Sequence, residues 1–117
     1  MNKTDQTIKK SEIYKKYHIP GCHNYMKRPK NAVFISPGNS LEHEQLKLKT
    51  CYELRKEGID FITEACRNNK DDNGKIRRVD IVNLNTGDEI EIETTKKRAK
   101  RFEGEPGVIV IKGWLND

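Results

Sequence analysis

The sequence predicts one α/β (α+β) domain, a mixed sheet flanked by helices, preceded by a basic arm. Three features predict it. A capped stretch of helical periodicity, residues 40–57, is followed by three short runs of strand character. A breaker cluster, Glu105-Pro106-Gly107, then leads into the apolar run Val108 to Ile111, which reads as a buried strand. Charge is also divided unevenly. Residues 1–30 carry eight Lys or Arg against two acids, and residues 31–117 carry fifteen against sixteen. At 117 residues the chain is long enough for one domain and not two. With 33% hydrophobic and 35% charged residues, against a usual charged fraction of about 25%, a thin core under a charged surface is expected. The expected division is an arm, 1–38, and a folded body, 39–117.

In "TDQTIKKSEIYKKYHI", Ile8, Ile13, Tyr14 and Tyr17 recur at loosely helical spacing, so a short helix is expected, ended by Pro20 and Gly21. "AVFI", residues 32–35, fits a short strand turned by Pro37-Gly38. Asn39 or Ser40 can cap the next helix, with Glu42, His43 and Glu44 in its first turn and Gly58 as its stop. Leu41, Leu48, Cys51 and Leu54 or Arg55 share one face, and Glu44 falls on that face between Leu41 and Leu48. A carboxylate on an apolar stripe needs a reason, either a ligand or the helix dipole. "IDFITEAC", "KIRRVDIVNL" and "EIEIETT" are three strands, the last two joined as a hairpin by "NTGD". "KKRAKRF" has the composition of a short helix.

The third strand is the unusual one. It carries Glu89, Glu91 and Glu93 on one face, although glutamate is a poor strand former and like charges repel. With a four-residue loop, Leu84 faces Glu89 and Asp80 faces Glu93. Asp80, Glu91 and Glu93 then share a face, and Ile90 and Ile92 join Val79 and Ile81 on the other. A three-residue loop would instead set Asp80 opposite Ile92. Solvent exposure would relieve the repulsion, and so would a hard divalent cation such as Mg²⁺. The basic run Lys96, Lys97, Arg98, Lys100 and Arg101 follows directly, where a phosphate backbone could dock.

Glu44 in "LEHEQLK", Asp80 in "RRVDIV" and Glu93 in "EIETT" stand in order on a helix, a second strand and a third, with helix and strand after them. Over roughly residues 40–111 this resembles the PD-(D/E)xK nuclease superfamily, in its Holliday-junction-resolvase-like and restriction-endonuclease-like branches. The resemblance implies an αβββαβ core and hydrolysis of DNA phosphodiesters by water activated on Mg²⁺ or Mn²⁺. Asp80 and Glu93 would hold the metal and Glu44 would assist. Lys27, Arg28 and Lys30 of the arm, with Lys96 to Arg101, would grip phosphates, and a homodimer is compatible with it. A lysine two residues after the second acid positions the water in that family, and here that place holds Thr95. Three readings stay open. Glu91 and Glu93 are the pair, with Glu93 in the lysine's place; the lysine has moved, to Lys96, Lys97 or Lys47; or catalysis is lost and a non-catalytic nucleic-acid-binding or interaction module remains.

Other chemistry is weaker. His18, Cys22, His23 and His43 lack the paired spacing of a zinc site. Cys51 and Cys66 read as small core residues, and an odd cysteine count without a secretory pattern reads as reduced thiols, an intracellular, cytoplasmic setting. Tyr14, Tyr17, Tyr25 and Met26 could stack on bases or dock the arm. Trp114 would anchor the last strand. No run approaches the ~18 apolar residues of a membrane span, and no phosphate-loop fingerprint occurs.

Overall fold

Ser40 caps the central helix, its hydroxyl accepting from His43 N at 3.1 Å, and α2 runs Leu41–Lys56. Glu42 and Glu44 occupy its first turn and Arg55 and Lys56 its last, each at the end the helix dipole favours. Gly58, at φ 75°, ends it in the left-handed conformation. The computed structural model describes residues 3–20, 29–95 and 105–113. Among these, α1 spans Lys3–Tyr14, β1 Tyr17–His18, β2 Phe61–Arg67, β3 Arg78–Asn83, β4 Glu89–Glu93 and β5 Val108–Lys112. The result is an α+β fold with a five-stranded mixed sheet in the order β1-β2-β3-β4-β5. Neighbours are antiparallel except β4 and β5, which are parallel.

The core has two halves, one on each side of the sheet. Ile13 of α1 and Ile19 pack with Ile62, Ala65, Val79, Val82 and Leu84. Cys51 of α2 packs with Phe61, Ile81, Ile90 and Ile92. The segment before residue 38 therefore contributes a helix, an edge strand and two core side chains. Tyr14 donates to Pro29 O at 2.6 Å, and Asn31 accepts from Phe61 N and donates to Asp60.

Several sequence expectations are corrected. Residues 32–35 form no strand. Thr63 Oγ1 instead accepts from Phe34 N and donates to Ala32 O, so a side chain of β2 holds that segment where a ladder would have. Leu41 and Leu48 are 69% and 56% exposed, while Lys47 and Cys51 are buried. The inward face of α2 is thus rotated towards Glu44, Lys47, Cys51 and Leu54. β5 is a half-buried outer strand, with Ile109 44% exposed.

The hairpin register differs from both expected versions. Ile81 pairs with Ile90 and Val82 with Glu89, which sets Asp80 opposite Glu91. The loop is longer because Leu84 leaves the ladder: its N–H bonds Asp60 O and its side chain joins the α1 half of the core. Asn83 accepts from Asn85 N and Thr86 N, and Gly87 turns at φ 86°. The expected helix "KKRAKRF", Cys22, His23, Tyr25, Met26 and Trp114 lie outside the described residues.

Candidate functional site

Side chains in a strand alternate between faces, and β2 and β3 break that rule together. The paired residues Ile62 and Val82 face α1, and so do Ala65 and Val79, three positions on. Ile81 faces α2. The phase slips at Glu64, whose φ of 50° lies in the left-handed region that non-glycine residues seldom adopt. Through the slip, Glu64 of β2 reaches Lys47 of α2 at 2.8 Å, and Asp80 of β3 reaches His43 of α2 at 3.3 Å.

Glu44, Glu64 and Asp80 are gathered this way with the cations His43 and Lys47. Glu44 Oε1 accepts from Asn39 Nδ2 at 2.9 Å and lies 2.8 Å from His43 Nδ1. Its Oε2 accepts from Ser36 N at 3.1 Å and lies 2.5 Å from Lys47 Nζ. Burial alone would raise this carboxyl, but the bonds from Lys47, Asn39, Ser36 N and His43 outweigh it and bring the pKa to about 2. Lys47 is wholly buried and also donates to Phe34 O at 2.7 Å. Desolvation works against its charge, yet the two glutamates hold its pKa above the usual lysine value. The bond to Asp80, against burial and with help from both carboxylates, lifts His43 to about 9.

On β4 the three glutamates are buried, not solvated. Glu89 is held by both arms of Arg67 and by Tyr17 Oη at 2.8 Å. Glu91 receives Arg77 at 3.2 Å and shares a hydrogen bond with Asp80. Desolvation, then the Asp80 charge, push the Glu91 carboxyl well above the carboxylate range, against the pull of Arg77. Asp80 Oδ2 also accepts from Ile92 N at 2.8 Å, so its carboxylate sits in the seam between β3 and β4.

The expected site residues are therefore distributed as follows. Asp80 meets Glu91 directly and Glu44 through His43. Glu93 is buried two residues beyond Glu91, about 7 Å of strand further on. Thr95 is exposed just past the end of β4. Lys30 is exposed and pairs with Asp60 at 3.6 Å. Lys27, Arg28, Lys96, Lys97, Arg98, Lys100 and Arg101 lie outside the described residues. Among the described residues, no group of three or more His, Cys, Asp or Glu side chains is already arranged around a metal position. Sequence reasoning missed His43, Glu64 and Arg77 as members of this cluster. For Glu64 a signal existed, an acid inside the apolar run "FITEAC". No protein-family model, curated protein or solved structure matches the chain. Among the described residues, no helix is long and apolar enough to cross a membrane.

Proposed function

We propose that the chain is a divalent-cation-dependent nuclease of the PD-(D/E)xK type, acting on DNA, with Asp80 and Glu91 as its metal-binding pair. The observation that carries this reading is the pairing of those two carboxylates across β3 and β4, where burial and the Asp80 charge raise the Glu91 carboxyl. Two buried carboxylates that face each other suit a hard cation that takes oxygen ligands. Mg²⁺ or Mn²⁺ bound there would supply a water of lowered pKa and charge stabilisation at a phosphate.

The chain's own groups divide the remaining work. Glu93, two residues after Glu91, takes the place of the motif lysine. Glu44 has both oxygens committed to four donors, so it orients His43 and Lys47 and does not offer a ligand. Lys47, clamped as an ammonium between two carboxylates, fixes α2 against β2 and is no proton acceptor. His43⁺ donates to Asp80 and holds that carboxylate at the seam.

The same completeness favours a second reading, a nucleic-acid-binding module without catalysis, because Lys47, His43 and Arg77 already compensate the acids. Cleavage of plasmid and branched DNA with Mg²⁺ or Mn²⁺ separates the two. Wild type cuts, and Asp80→Asn or Glu91→Gln lowers the rate at least about a hundredfold, the scale of losing a principal transition-state contact. No cutting with salt-sensitive DNA binding retained would favour the module, and loss of both would end both readings.

A further inference from the structure

A groove of about 340 Å³ shares Glu64 with this cluster; Phe34, Ile35 and Pro37 line it with Ser36, Glu64 and Arg78. Its size falls at the lower end of the range of about 300–1,000 Å³ typical of small-molecule sites. The apolar wall is an anomaly for so polar a chain. Phe34 is 36% exposed and Ile35 75%. Neither hangs on a loose loop. Phe34 N donates to Thr63, Phe34 O accepts from Lys47, and Ser36 N donates to Glu44, so the backbone of the wall is tied to β2 and α2. Arg78 is about half exposed, and its Nε lies 3.9 Å from Glu64, too far for a hydrogen bond. A tethered aromatic-aliphatic wall with a forked cation in the same groove matches a flat base attached to a phosphate.

Resting on the nuclease reading, we infer that this groove holds one unpaired nucleotide, its base against Phe34 and Ile35 and its phosphate at Arg78. The substrate is then nucleic acid with a single-stranded or frayed segment, since a base inside a continuous duplex cannot reach the wall. Glu64 belongs both to the groove and to the chain of ion pairs that runs through Lys47, Glu44 and His43 to Asp80.

The test measures binding without divalent ions, by fluorescence anisotropy. A labelled single-stranded oligonucleotide is compared with a blunt duplex of equal length. Wild type binds the single strand at least about tenfold more tightly, and Ile35→Ser and Arg78→Gln each remove most of that preference, on the scale of one stacked base. Both residues are exposed, and unchanged melting temperatures of the variants exclude misfolding. Equal binding of strand and duplex, or variants that keep the preference, would overturn the proposal. So would a change in sedimentation of Ile35→Ser with unchanged oligonucleotide binding, which would make the groove a self-interface. Single-strand preference without cleavage on adding Mg²⁺ would remove the nuclease reading alone. Equal cleavage of strand and duplex without preference would remove the groove alone.

Discussion

His43 joins Glu44 to Asp80: its Nδ1 lies 2.8 Å from Glu44 Oε1 and its Nε2 3.3 Å from Asp80 Oδ2. Only the doubly protonated ring donates at both nitrogens. The folded pKa of about 9 stands above the ordinary 6.5. The stabilisation it brings is therefore full below pH 6.5 and is lost as pH rises through 9. Glu91 acts in the same direction, because a carboxyl held protonated in the fold resists ionisation. Thermal unfolding in a chelating buffer should show the melting temperature falling from pH 6.5 to 9. His43→Gln should flatten part of that slope and leave the Glu91 part. A slope identical in wild type and His43→Gln would show that the imidazole is not charged in the fold.

Lys47 lies between Glu44 and Glu64, with no exposed surface of its own. Removing one partner of a buried set leaves the others uncompensated, at a cost of about 3–5 kcal/mol. Lys47→Met should lower the urea midpoint accordingly. Lys47→Met combined with Glu44→Gln and Glu64→Gln should recover much of the loss, since no bare charge then remains inside. If the single variant were as stable as wild type, the ammonium would not be holding α2 to β2.

α2 and β4 were legible because each rests on local chemistry. Ser40 and Gly58 bound α2, and the alternation of Ile90 and Ile92 with glutamates identifies β4. The candidate site was legible only in outline. Asp80 and the helical Glu44 were visible, but their actual neighbours depend on two events that have no local signal. Leu84 leaves the hairpin for the α1 core, which moves Asp80 from Glu93 to Glu91. The phase slip at Glu64 turns two strands at once towards α2, and nothing in "FITEAC" announces a left-handed glutamate. The sequence marks Lys47 only as a candidate displaced lysine, because burial of a whole ammonium is set by long-range partners.

Ile13 tests whether the first helix is structural. It is 8% exposed and packs against strands β2 and β3 through Ile62, Ala65, Val79 and Val82. Ile13→Ala should destabilise the protein by about 2–5 kcal/mol, as for other large-to-small changes in a core. The denaturant midpoint measures it. A change under about 0.5 kcal/mol, the size of an ordinary surface substitution, would mean that α1 rides on the sheet without securing it.

Glu91 and Asp80 make the sharpest prediction, because a proton and a metal ion compete for one place. Glu91→Gln keeps a hydrogen-bond donor towards Asp80 and removes a group that resists ionisation. The variant should therefore be at least as stable as wild type at pH 8–9 in a chelating buffer. Divalent ions should reverse the order. An ion that binds only the folded state stabilises by about 2.7 kcal/mol at a hundred times its dissociation constant. Mg²⁺ or Mn²⁺ should raise the melting temperature of wild type and leave those of Glu91→Gln and Asp80→Asn nearly unchanged. The wild-type gain should grow with pH, since the ion must displace the proton of Glu91. An equal gain in all three proteins would place the ion elsewhere, and no gain in wild type at any pH would leave the pair as a proton-sharing structural contact.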